Sequence, residues 1–181
     1  MSEDILSDSG LPGVQRVVTC HDENGRARFR SEDVSPPKMV PSGDAAMLTI
    51  WATKTVPADN NDDTDGRELA TGVTLEGGSV IRIVDMLPHA ESPMHRTNSV
   101  DYGIILKGEI ELELEDGVKK TIREGGIIVQ RGTNHLWRNT TDQVTRIAFI
   151  LIEAPAYLHN GKPLEEAKPE QVDARYNEAG H

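Results

Sequence analysis

Two short segments of the sequence carry residue types that are capable of acid–base or metal chemistry. Residues 94–101 contain His95 and Asp101, and residues 131–139 contain His135. Histidine titrates near neutral pH and is the commonest metal ligand in proteins. A buried carboxylate can serve as a general base or as a ligand. If both segments face one apolar interior, two imidazoles and a carboxylate converge there, which predicts a small-molecule site.

The elements that would position these side chains are short extended stretches separated by turns. In the second half of the chain they cover residues 79–86, 99–106, 109–115, 118–123, 127–130, 135–139 and 145–153. Residues 109–115 alternate Glu with Ile or Leu, so one face is predicted to lie in the core and the carboxylates in water. Side chains two apart share a face of a strand, which places His135 and Trp137 together.

The first half of the chain predicts additional strands. Residues 14–19 and 27–30 flank an Asn24-Gly25 step, which is a strong hairpin signal, and residues 47–53 form another extended stretch. Short strands with turns at this spacing predict an all-β sandwich or barrel.

Composition excludes several classes of partner and cofactor. The formal net charge is −11, from 30 acidic and 19 basic side chains, which argues against binding to nucleic acid or an anionic membrane. The single cysteine, Cys20, cannot form an internal disulfide, and no apolar run suits a signal peptide or a membrane span, so a cytoplasmic location is predicted. No glycine-rich phosphate loop precedes a helix, so no nucleotide cofactor is expected.

The two segments resemble the motifs of the cupin superfamily. The first motif is matched by His95, Thr97, Asp101 and Gly108, and the second by Gly132, His135 and Asn139. Thr97 stands where the family usually has a second histidine, and Asp101 where it usually has a glutamate. The sequence of the two segments is most similar to that of small single-domain cupins of fungi and bacteria, some of which are associated with natural-product tailoring.

The resemblance implies an all-β fold, a cupin-type jelly-roll barrel with extra N-terminal strands and an irregular C-terminal tail. One structural domain is expected, with residues 1–78 as an N-terminal arm and strands packing on the barrel, 79–153 as the barrel core and 154–181 as the tail. At most a short helix is predicted in the tail, around residues 164–168. Because such barrels often pair or exchange edge strands, a homodimer is predicted.

Two hypotheses for the chemistry remain open. In the first, His95, Asp101 and His135 hold one divalent transition metal (Fe, Mn, Ni, Zn or Cu), with the Thr97 hydroxyl or a water completing the site. In the second, the cavity is metal-free and the same three groups act as acid–base catalysts.

The remaining predictions concern the substrate and the reaction. The residues predicted to contact a small-molecule substrate are Arg96, Thr97, Ile105, Arg131 and Trp137, with Arg138 as a further partner for a substrate carboxylate. We expect a lyase or isomerase that dehydrates, decarboxylates or shifts a double bond in a carbonyl or carboxylate compound. The alternatives are an Fe(II)-dependent dioxygenase that uses the same triad and a non-catalytic small-molecule-binding barrel.

Overall fold

Antiparallel strands form nearly all of the regular structure in the computed structural model, which describes residues 5–167. The strands are β1 (Val14–His21), β2 (Ala27–Ser35), β3 (Lys38–Met39), β4 (Ala45–Thr53), β5 (Ser79–Met86), β6 (Ser99–Lys107), β7 (Glu109–Leu114), β8 (Lys119–Arg123), β9 (Ile127–Arg131), β10 (His135–Arg138), β11 (Thr145–Glu153), β12 (Leu158–His159) and β13 (Lys162–Pro163). Two short 3-10 helices cover Gly66–Glu68 and Glu115–Gly117. In this described part of the chain no helix is long and apolar enough to cross a membrane.

Two sheets make up the barrel. The larger has six strands in the order β3-β4-β5-β11-β6-β9, and the smaller has three in the order β10-β7-β8. One apolar cluster joins them, because it combines Met86, Ile105 and Ile147 of the larger sheet with Ile110 and Trp137 of the smaller. The chain therefore folds as the predicted all-β jelly-roll barrel, with its core between the two sheets.

Alternation along β7 shows why these residues form strands. Ile110 and Leu112 are buried in the apolar cluster, at 1% and 9% exposure. Glu111 and Glu113 lie on the other face, where both contact Lys119. The division into a core face and a charged face that the sequence predicts for this stretch is confirmed.

The N-terminal strands that were predicted are also present. β1 and β2 pair as a hairpin whose turn contains Asn24 and Gly25. β4 pairs with β5 from Ala45 opposite Met86 to Thr53 opposite Ser79, so the barrel sheet includes residues N-terminal to position 79.

The segment after the barrel is irregular up to the last described residues. It forms the small β12–β13 ladder, and the main chain of Ala167 then bridges to that of Arg96. The predicted short helix is absent from residues 164–167, because the Ala167 main chain pairs with another segment rather than with its own preceding turn. The rest of the predicted tail, residues 168–181, lies outside the described part of the chain.

Candidate active site

A cavity between the two sheets brings the three predicted catalytic residues together. His95, Asp101 and His135 all line it, at 8%, 6% and 3% exposure. Its volume is about 70 Å³. Much of the remaining wall is apolar and includes Met47, Val84, Met86, Ile147, Phe149 and Leu151. Polar groups placed in such a wall are the usual arrangement of a small-molecule site.

Main-chain pairing holds the two histidines side by side. The His95 amide donates to the His135 carbonyl over 2.8 Å, and the His135 amide donates to the His95 carbonyl over 2.9 Å. The ring centroids are 4.2 Å apart. Trp137, two residues along β10, presents the same face and meets the His135 ring edge-on at 5.4 Å. The two segments singled out in the sequence therefore face each other.

The hydrogen bonds of the two rings determine which nitrogen carries the proton. Nδ1 of His95 lies 2.8 Å from the Pro93 carbonyl oxygen, and Nδ1 of His135 lies 2.9 Å from that of Thr133. Because a carbonyl only accepts, each Nδ1 donates, and Nε2 of a neutral ring is an acceptor. Burial, aided by the neighbouring His95, lowers the pKa of His135 to about 3. His135 is therefore neutral at pH 7 and accepts hydrogen bonds at Nε2.

Asp101 is the carboxylate of the cavity. Burial raises its pKa to about 6, and a hydrogen bond from Ser99 partly opposes this shift. Ser99 is itself within 2.8 Å of Thr97, hydroxyl to hydroxyl. Oδ1 of Asp101 is buried and has no hydrogen-bond partner among the described residues. A carboxyl group with a pKa near neutrality and an unsatisfied oxygen suits proton exchange with a bound molecule.

The donors do not fit the predicted three-ligand metal site. Within residues 5–167 no group of three His, Cys, Asp or Glu side chains lies close enough to hold one metal ion. His135 lies on β10 of the smaller sheet and His95 pairs with it, whereas Asp101 projects from β6 of the larger sheet. Aspartate is also one methylene shorter than glutamate, and the Thr97 hydroxyl is engaged with Ser99. The metal hypothesis in its three-ligand form is therefore not supported.

Two of the predicted substrate contacts lie on the cavity and the others do not. Thr97 and Trp137 line it. Ile105 is 1% exposed and packs in the apolar cluster instead. Arg96 lies beside Glu115, at 3.3 Å, and Arg131 is exposed on β9. These three residues do not line this cavity, and their contact with a substrate stays a prediction.

Arg138 was also expected to meet a substrate carboxylate, and it too is turned away. It follows Trp137 on β10 and therefore points to the opposite face of the strand. There its guanidinium contacts three carboxylates, those of Glu91, Glu111 and Glu113. The charge of Arg138 is therefore paired with protein carboxylates on the outside of the barrel.

The arginine that does line the cavity was missed. Arg82 is 3% exposed, and its Nη2 donates to the Thr71 hydroxyl over 2.8 Å and to the Gly72 carbonyl. The signal was available in the sequence, because Arg82 occupies an alternate position between Val80 and Val84. A charged residue at an apolar position of a strand indicates a buried charge.

Two further motif residues, Asn139 and Gly108, lie where the backbone turns. Asn139 is fully buried, and its Nδ2 donates to the carbonyls of Met86, Leu87 and Gln143. Gly108 has φ +80°, and a Cβ there would meet the Thr145 hydroxyl at 3.0 Å, so a side chain would be strained.

Comparison with known proteins agrees with this architecture. The cupin domain family model matches residues 82–152. Phomopsin biosynthesis cluster protein C' of Diaporthe leptostromiformis is 41% identical over 82% of this chain and 83% of that protein. The cupin-domain-containing oxidoreductases fogC of Aspergillus ruber and virC of Hypocrea virens are 35% and 32% identical, over 87% and 88% of this chain and 81% and 90% of those proteins. Among solved structures, the Schizosaccharomyces pombe Cnp3 cupin domain matches 77% of this chain and 87% of that chain, with 14% identity and a TM-score of 0.46. Because these cupin-domain relatives are at least 32% identical over more than four fifths of this chain, the chain belongs to the cupin family.

Proposed function

We propose that this cupin is a tailoring enzyme for a small biosynthetic intermediate and that Asp101 transfers a proton beside a carbonyl group of that substrate. The observation that carries the proposal is the buried Asp101 carboxyl, which has a pKa of about 6 and an Oδ1 without a hydrogen-bond partner among the described residues. Such a group is mostly ionised at pH 7 and is still close enough to its pKa to take up and return a proton.

Two reactions follow from one proton transfer. In a double-bond shift, the Asp101 carboxylate removes a proton from the carbon between a carbonyl and an alkene, and the electron pair moves onto the carbonyl oxygen. The Asp101 carboxyl then returns the proton at the far alkene carbon. In a dehydration, the same first step is followed by loss of the β-hydroxyl group, which leaves as water with the proton from Asp101. Both reactions balance without an oxidant and regenerate the carboxylate.

His135 orients the substrate in this scheme. With Nδ1 donating to the Thr133 carbonyl, the neutral His135 imidazole offers Nε2 as an acceptor. An enol or alcohol hydroxyl of the substrate is the matching donor. The edge-on Trp137 limits the position of the His135 ring and forms part of the cavity wall.

The relatives support the substrate class. The phomopsin protein is named for a biosynthetic cluster, and it matches 82% of this chain. A cavity whose wall is mostly apolar suits a small organic molecule of that kind.

An oxidoreductase is the second candidate, because fogC and virC are named as oxidoreductases. The Fe(II)-dependent dioxygenase considered from the sequence belongs to this class. An oxidation needs an electron acceptor, so oxygen consumption that depends on added substrate and is lost with a chelator would favour it. A non-catalytic binding barrel would show affinity without turnover.

The proposal is tested by proton exchange in D₂O. Neutral β-hydroxy ketones and β,γ-unsaturated ketones are incubated with the protein, and loss of the α-proton signal is followed by ¹H NMR. Removal of a general base commonly costs about 10²- to 10⁴-fold, so Asp101→Asn should lose at least about 100-fold of the exchange rate. Asp142→Asn is the matched control, because Asp142 is 90% exposed. Exchange by Asp101→Asn at the rate of the unmodified protein would overturn the proposal.

A further inference from the structure

We infer that residues 69–75, in the loop before β5, form the gate through which a small molecule enters the cavity, and that Arg82 holds this gate closed. The inference does not depend on the reaction, since a binding barrel needs an entrance as much as an enzyme does. It assigns a role to a segment that neither sequence motif covers.

The cavity is nearly closed to solvent. Each described residue of its wall is buried except Phe149, which lies on β11 within the larger sheet. β11 is hydrogen-bonded to β5 along one side and to β6 along the other, so this strand does not move aside by itself. Entry of a ligand therefore requires a movement elsewhere in the wall.

Two segments of the wall lie outside the strands. Their described wall residues are Ser92, His95 and Thr97 in one segment and Val73 in the other. The first segment is fixed to β10, because two main-chain hydrogen bonds join His95 to His135 and the Ser92 amide donates to a β10 carbonyl over 2.8 Å. Residues 69–74, by contrast, make no main-chain hydrogen bond with any described residue. The second segment therefore opens more readily, since fewer backbone bonds must break.

Arg82 and apolar packing hold the gate in place. Nη2 of Arg82 donates to the Thr71 hydroxyl over 2.8 Å and to the Gly72 carbonyl. Val73 is 3% exposed and belongs to an apolar cluster that includes Leu151 of β11. These contacts are made by side chains, so they can break and form again without disturbing a strand ladder.

Hydrogen-bonded turns fix the two ends of the gate. Before it, the Glu68 amide donates to the Asp65 carbonyl over 3.0 Å. After it, the Gly78 amide donates to the Leu75 carbonyl over 2.9 Å. The gate can therefore move as a unit between two fixed points, as hinged loops do over other binding sites.

Cysteine labelling measures opening of the cavity directly. In the full chain with its single cysteine replaced, Cys20→Ser, the further change Met47→Cys places one thiol on the cavity wall, where the native side chain is 6% exposed. Iodoacetamide reaches this thiol when the cavity opens. Ile110→Cys is the matched reporter for unfolding of the whole barrel, because Ile110 is 1% exposed in the core and does not line the cavity. Mass spectrometry gives both labelling rates.

Thr71→Val removes one acceptor of Arg82 and leaves the strands intact. It should raise the labelling rate at position 47 about 3- to 10-fold, without an equal rise at position 110. Ser92→Ala is the control, because it removes the hydroxyl that accepts from the Trp137 amide in the other segment. Ser92→Ala should leave the ratio of the two rates unchanged.

A second variant keeps the inference falsifiable. If Thr71→Val does not fold, Val73→Ala, which removes two methyl groups from the side chain that closes the cavity, should give the same rise at position 47. Equal acceleration at positions 47 and 110, or an unchanged ratio in a folded gate variant, overturns the inference. A ratio that rises in Ser92→Ala would place the entrance at the other segment and would overturn it as well.

Discussion

Replacing Asp101 with asparagine should remove a pH-dependent contribution to the stability of the fold. Burial raises the pKa of this carboxyl from an ordinary value of 3.8 to about 6 in the folded chain. The folded state therefore binds the proton more tightly than the unfolded state does. The resulting contribution to the free energy of unfolding is complete below pH 3.8 and is lost as the pH rises through 6.

The magnitude follows from the size of the shift. A change of about two pKa units corresponds to about 3 kcal/mol in total. At pH 8 Asp101 is ionised in both the folded and the unfolded state, and at pH 5 it is mostly protonated in the folded state. Its contribution to the free energy of unfolding therefore rises by about 1.4 kcal/mol between pH 8 and pH 5. Asparagine does not titrate, so the variant lacks this gain.

Urea unfolding of both proteins at pH 8 and pH 5 measures the effect. The free energy of unfolding of the unmodified protein should rise by about 1.4 kcal/mol relative to Asp101→Asn on going from pH 8 to pH 5. His135 titrates with the opposite sign in this range, but it is present in both proteins and is removed by the subtraction. A difference that stays constant between the two pH values would show that Asp101 has an ordinary pKa, which would refute the argument from burial.

Two further predictions concern the stability effect of His135 and the oligomeric state of the chain. His135→Gln should resist acid better than the unmodified protein, because burial lowers the pKa of His135 from 6.5 to about 3. As the pH falls through this window, the free energy of unfolding of the unmodified protein decreases by up to about 5 kcal/mol. The midpoint of acid unfolding, measured by circular dichroism, tests this, and an unchanged midpoint contradicts it. The chain should also form a homodimer, so light scattering should give twice the chain mass of 19.9 kDa, and a monomer mass would contradict the prediction.

Much of the fold could be predicted because period-two alternation determines which face of a strand is buried. The pattern of residues 109–115 defined the core face of β7, and the Asn24-Gly25 step located the β1–β2 turn. The same rule assigns Arg138 to the outer face, opposite Trp137, and Arg82 to the inner face. The arginines near the motifs were chosen by their proximity in sequence, which does not indicate the direction of a side chain.

The site was predictable in part. Each histidine lies in a recognisable segment, and the sequence indicates that the two converge if both segments face one interior. The main-chain pairing of His95 with His135 is seen only in the structure. Whether Asp101 completes a metal site depends instead on a distance between two sheets, and strand pattern does not specify that distance. The pKa values of Asp101 and His135 likewise depend on burial that the packed barrel creates.

The central claim is that Asp101 transfers protons in a cavity that works without a three-ligand metal. The most direct test is α-proton exchange by ¹H NMR in D₂O, run on the chelator-treated and desalted protein and on Asp101→Asn treated in the same way. The account predicts that chelation leaves the exchange rate unchanged and that Asp101→Asn lowers it by at least about 100-fold. Exchange that disappears on chelation and returns with added Fe(II), or that persists in Asp101→Asn, would contradict it.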